Sequence, residues 1–237
     1  MYIVFSIIGI LITTIFTIKR THESSPGLLM LKGLSSAFFI FTAIAAFTSN
    51  ENVPTLVGVT AVVGAVFGLL GDISLDLKYI YPQDHDVYLK GGFTSFSIGH
   101  LFYVMSMFFS YNLSFGNYAY AVFGLILLFV YTPISQKLKF MKLDYNKFLF
   151  ITMLYGAIIG FTDALSFSIV FTEGATTHTV LHSAGMTLFL LSDAVLSGLY
   201  FGKEEKQRNS RPMIILNHIF YYSAQYLLAV SLAFYRG

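Results

Sequence analysis

Long apolar runs alternate with short polar breaks along the whole chain. Eight of these runs, each about 20 residues, are long enough to cross the hydrocarbon core of a bilayer as helices. They cover residues 2–18, 28–48, 53–77, 91–111, 117–135, 147–171, 180–201 and 213–235. The breaks are too short to hold a soluble domain. The pattern therefore predicts an all-α polytopic membrane bundle forming a single domain over residues 1–237. The first run starts at Met1 with no basic stretch ahead of it, which predicts a retained helix and not a cleaved leader.

Composition makes the same point from a different direction. Of 237 residues, 56% are hydrophobic and 11% are charged. A soluble domain carries roughly 25% charged residues, so these charges cannot cover a soluble surface. Soluble enzymes and nucleic-acid binders are excluded, and no nucleic-acid partner is expected. With zero cysteines, disulfides, thiolate metal sites and cysteine nucleophiles are excluded too.

The positions of the charges predict orientation. Residues 19–27, 78–90, 136–147 and 202–212 hold twelve of the fourteen Lys and Arg residues. The breaks on the other side, with both termini, hold only Arg236, and Lys32 lies inside a run. The positive-inside rule then places the four basic breaks in the cytoplasm and both termini on the far side of the cell membrane.

Two halves echo one another. Gly71-Asp72-Ile73-Ser74-Leu75 in the third run is matched by Ser192-Asp193-Ala194-Val195-Leu196 in the seventh. His100-Leu101-Phe102-Tyr103 in the fourth is matched by His218-Ile219-Phe220-Tyr221 in the eighth. An even number of spans per half gives both halves the same orientation, as a parallel repeat requires. The expected halves are residues 1–111 and 117–237.

Ionisable groups inside a span are costly and are functional candidates by default. At ~1.5 Å of rise per residue, Asp72 and Asp193 lie roughly 8 and 12 Å from the cytoplasmic ends of their runs. Lys32, His218 and His100 fall within roughly 6–14 Å of the same side. Five helices thus contribute to one polar layer, with Asp76 one turn beyond Asp72 on the same face. Neither aspartate is near enough to its helix end to reach water with so short a side chain. Lys32 can snorkel to the head groups, Asp76 can sit in interfacial water, and His100 and His218 can serve as interhelical hydrogen-bonding residues. Asp163, with Glu173, His178 and His182, is expected to form a separate outer cluster of structural character. Gly64-x-x-x-Gly68, Gly71 and Gly156-x-x-x-Gly160 are faces for close helix packing.

The chain has no nucleophile elbow, Walker loop, His-Glu-x-x-His or dinucleotide fingerprint. Its main chemical resource is a pair of carboxylates. At this point the sequence resembles the YhhN family of multi-pass membrane proteins, whose characterised members are lysoplasmalogenases. The resemblance is carried by Gly71–Leu75, by Phe96-Ser97-Ile98-Gly99-His100-Leu101-Phe102-Tyr103, by Phe189–Leu196 and by Tyr221-Tyr222-Ser223-Ala224-Gln225. Where family members often carry Lys-Pro at the entry to the second span, Lys32 here precedes Gly33.

The resemblance implies hydrolysis of the vinyl ether bond of lysoplasmalogens, which yields a fatty aldehyde and a glycerophospho-base. The partners are then a lysophospholipid substrate and the surrounding membrane lipids. Such a bond is cleaved by protonating its β-carbon, and water captures the resulting oxocarbenium ion. One protonated acid and one ionised carboxylate divide this work, as in glycosidases, so no metal or other cofactor is required. Asp72 and Asp193 are the candidate catalytic pair. Lys32, Asp76, His100, Tyr103, His218, Tyr222 and Gln225 are the candidate supporting and substrate-binding residues, with the lipid phosphate near Lys32 or His218. Two other classes fit the same residues. One is a metal-dependent lipid hydrolase with His100, His218, Asp72 and Asp193 as ligands. The other is a transporter whose Asp and His residues form an ion or proton relay.

Overall fold

The computed structural model of the chain describes residues 1–22 and 24–236; Glu23 and Gly237 lie outside the described residues. Nine α-helices are described in all: α1 (Tyr2–Arg20), α2 (Pro26–Thr48), α3 (Thr55–Ile80), α4 (His85–Ser110), α5 (Phe115–Ser135), α6 (Leu149–Glu173), α7 (Thr177–Phe201), α8 (Glu205–Arg208) and α9 (Arg211–Ser231). All but the single-turn α8 are long and apolar enough to cross a membrane, which makes eight spans among the described residues.

Local chemistry explains the helix starts. Ser25 accepts from the Leu28 amide with Pro26 at the first helical position of α2, where proline's missing N–H costs nothing. Ser114 and Asn117 form a capping box on α5, and Thr176 and Thr179 form another on α7. The basic ends of α3 and α4 run further than hydropathy predicts, to Ile80 and from His85. Apolarity marks only the stretch inside hydrocarbon. A helix continues through the interface because its backbone stays internally bonded while polar side chains meet water.

Adjacent antiparallel pairs build the bundle. α3 packs on α4, α7 on α9, α1 on α2 and α5 on α6; α2 also packs on α9, and α6 on α4. Glycines set the closest approaches. A Cβ on Gly124 or Gly160 would collide with the other's carbonyl oxygen, and one on Gly64 would sit 3.0 Å from that of Gly99. These are the α5·α6 and α3·α4 contacts, so the small-residue faces read from sequence do let backbones meet.

At the basic end the segment before α6 is clasped to the end of α7. The Asp144 amide donates to the Phe201 carbonyl at 2.8 Å, and the Lys203 amide to that of Lys142 at 2.7 Å. On the surface there, Lys142 bonds Glu204 and holds its carboxyl below the usual carboxylate range.

The opposite end differs from the sequence expectation. Asp163 accepts from Thr187 at 2.8 Å, His182 pairs with Ser166 and His178 with the Ser231 carbonyl, while Glu173 is exposed. The four groups do not form one outer cluster. Asp163, His178 and His182 each bond a hydroxyl or carbonyl instead, and of the four only the His178 and His182 rings pack together, with centroids 6.1 Å apart.

Candidate functional site

Longer helices bring the two aspartates to equal depth. Asp72 is eight residues from the end of α3 and Asp193 eight from the end of α7, or about 12 Å in each case. Both line a cavity of about 530 Å³ near the basic end, together with Arg20, Lys32, Asp76, Lys78, His218 and Tyr221.

The two carboxylates keep different company. Asp72 is 3.3 Å from the Lys32 ammonium and accepts hydrogen bonds from Ser36 at 2.6 Å and Tyr221 at 2.7 Å. Asp193 accepts one bond, from Tyr155 at 2.8 Å. It has no ion pair among the described residues. The charge of a carboxylate facing an ammonium and two hydroxyl donors is compensated, whereas a carboxyl group that meets a single phenol has no cation to balance it.

Lys32 also reaches Asp76 at 3.2 Å, and Arg20 approaches Asp76 at 3.4 Å. Lys32 is only 5% exposed. It does not snorkel to the head groups, because two buried carboxylates hold its ammonium. Asp76 does not sit in interfacial water for the same reason. Removing one member of such a buried network leaves an uncompensated charge, so Arg20, Lys32, Asp72 and Asp76 stand or fall together.

A chain of hydrogen bonds crosses three helices to reach Asp72. Tyr103 on α4 donates to Gln225 on α9 at 3.1 Å; the Gln225 amide donates to the Tyr221 hydroxyl at 3.3 Å, which in turn donates to Asp72. Tyr103 and Gln225 therefore orient Asp72 through Tyr221 and do not line the cavity. His218 does line it, with its ring 5.0 Å from that of Phe16 and its Nδ1 unpartnered. His218 and Tyr222 also line an apolar groove of about 720 Å³ between α1 and α9.

His100 is a correction to the single polar layer. With α4 starting at His85, His100 lies fifteen residues along it, or about 22 Å from that end. It packs against Phe189 with ring centroids 4.5 Å apart, and neither ring nitrogen has a partner. The four groups considered as metal ligands therefore do not converge. Among the described residues no three His, Asp or Glu side chains meet closely enough to hold an ion.

Four residues of the site carried no chemical weight in the sequence. Arg20 and Lys78 read as topology charges, although Lys78 sits inside α3. Tyr221 had a signal, since it stands three residues after His218 as Tyr103 does after His100. Tyr155 had none, being one of sixteen tyrosines.

Eight membrane-length helices with a cavity of aspartates and cations define an integral, multi-pass membrane protein with a polar site near one face. The chain belongs to the YhhN family, which matches it over residues 27–232, from the start of α2 to just beyond α9. Neither the curated proteins nor the solved structures give a match to this chain.

Proposed function

We propose that the protein is a lysoplasmalogenase-type hydrolase that cleaves the vinyl ether bond of single-chain ether phospholipids at the cytoplasmic side of the cell membrane. The observation that supports this reading is the presence of two unlike carboxyl groups on one cavity, one beside an ammonium and two hydroxyl donors and one beside a single phenol.

The division of labour follows from that company. The Asp193 carboxyl gives its proton to the β-carbon of the vinyl ether, and the π electrons form the new C–H bond. The positive charge that develops on the α-carbon and ether oxygen is stabilised by ionised Asp72. Water adds to the α-carbon, with Asp72 taking its proton, and a hemiacetal results. Collapse of the hemiacetal breaks the bond to the glycerol oxygen, which leaves as an alcohol, and gives the aldehyde. One water is consumed and both carboxyl groups return to their starting states after proton exchange. Preorganised charge of this kind is commonly the largest catalytic contribution. Ser36, Tyr221 and the Gln225–Tyr103 chain keep Asp72 fixed while this happens. The aliphatic chain lies in the α1/α9 groove, which meets the cavity at His218.

The test is direct. Purified protein in detergent, given lysoplasmalogen, should release free aldehyde, and activity should survive exhaustive chelation. A carrier would release none, and a metal hydrolase would lose its activity to the chelator.

A further inference from the structure

Of the three cations Arg20, Lys32 and Lys78 lining the cavity, two are committed. Arg20 pairs with Asp76, and Lys32 with both Asp72 and Asp76. Lys78 is different. It is 4% exposed, its ammonium lies 2.8 Å from the centre of the Tyr200 ring and 4.9 Å from that of Tyr79, and it lines the cavity. It makes no ion pair and no hydrogen bond among the described residues. Aromatic faces attract a cation, but they do not replace a counter-ion in a dry site.

We infer that Lys78 is the anchor for the phosphate ester of the lipid. This rests on the proposed hydrolase reading and assigns the head-group end of the same site. The charges match. Arg20 and Lys32 pair with Asp72 and Asp76, so of the three basic side chains Lys78 is the one left over for one phosphodiester. The distances match as well. Lys78 is six residues from Asp72 on α3, or about 9 Å along the axis. Seven bonds separate the phosphorus of such a lipid from its vinyl β-carbon, about 8 Å at the advance per bond of an extended chain. A phosphate on Lys78 thus sets the vinyl ether beside the aspartates. Arg208 at the rim of the cavity adds positive charge on the path inward.

The experiment uses the full chain in detergent and measures binding of glycerophosphoethanolamine, inorganic phosphate and glycerol by calorimetry, alongside hydrolysis kinetics. Glycerophosphoethanolamine should bind the wild type. Lys78→Gln should weaken that binding roughly tenfold or more, as loss of a charge-assisted contact does, and Lys78→Arg should restore part of it. In hydrolysis, Lys78→Gln should raise KM with kcat largely kept. Equal affinity in the wild type and Lys78→Gln overturns the anchor, whatever the activity. Inorganic phosphate binding as tightly as the ester also overturns it, by making the site one for free phosphate. Lys78-dependent binding of the ester by a protein that releases no aldehyde upholds the anchor and refutes the hydrolase. Should Lys78→Gln not fold, the wild type decides: glycerophosphoethanolamine must protect it against heat where glycerol does not.

Discussion

Asp72 and Asp193 occupy the same place in α3 and α7, equally far from the helix ends and on one cavity wall. Their surroundings are opposite. Asp72 is bonded to Lys32, Ser36 and Tyr221, while the Asp193 carboxyl group bonds Tyr155 alone among the described residues. Two carboxyl groups at matching depth have unlike partners, and the partners determine what each carboxyl group can do. α2 supplies a lysine and a serine where α6 supplies a tyrosine. The lesson is that depth marks both residues as candidates, but the neighbouring helix assigns the role.

The largest expected effect comes from removing either carboxyl group. Asp72→Asn and Asp193→Asn should each reduce turnover at least ~100-fold, the lower range for general acid–base catalysis. The double variant should be little worse than the poorer single one, because residues acting as a unit are non-additive. Aldehyde release per mole of monodisperse protein measures this. The kcat profile of the wild type should be bell-shaped and report the pair. It falls on the alkaline side as the acid loses its proton, and on the acid side as the ionised partner gains one.

Lys32→Gln attacks the comparison from the Asp72 side alone. It leaves Asp72 and Asp76 with only Arg20, so stability should drop by about 3–5 kcal/mol, the usual cost of breaking a buried ion network. Thermal unfolding in detergent reads it. The surviving folded protein should lose kcat, because Asp72 is no longer held by its ammonium. A change in KM alone would return Lys32 to the head-group role that its position in the sequence suggests.

Tyr155→Phe attacks the Asp193 side. It deletes the one hydrogen bond Asp193 accepts, worth about 1 kcal/mol, so kcat should fall several-fold and stability slightly. The smallest effect belongs to Asp163→Asn. Thr187 can still donate to the amide oxygen, so turnover should stay within about twofold and stability within ~0.5 kcal/mol. A large loss of turnover from Asp163→Asn would move the chemistry to the wrong end of the bundle.

Much of the fold was legible because a bilayer demands about 20 apolar residues per span, and the chain spells out eight such runs. The aspartates were legible because charges in apolar runs stand out. Helix ends were less so, since Lys78 and Tyr79 look like loop until α3 is seen to run to Ile80. That short extension moves Lys78 from an outer charge to a cavity wall. An earlier start for α4 carries His100 the other way, out of the site. The partners of the aspartates were not legible, because contacts between helices depend on rotation about each axis. Lys32 and Ser36 share a face of α2 by their spacing, yet nothing local says that this face meets Asp72.

The central claim is that an uncompensated Asp193 is the acid and a compensated Asp72 its ionised partner. Aldehyde release from lysoplasmalogen by the purified wild type and by Asp193→Asn tests it most directly. The account predicts one aldehyde per lipid cleaved by the wild type and at least ~100-fold less from the well-folded variant. Aldehyde release that survives Asp193→Asn nearly intact, or a folded wild type that releases none, would contradict it.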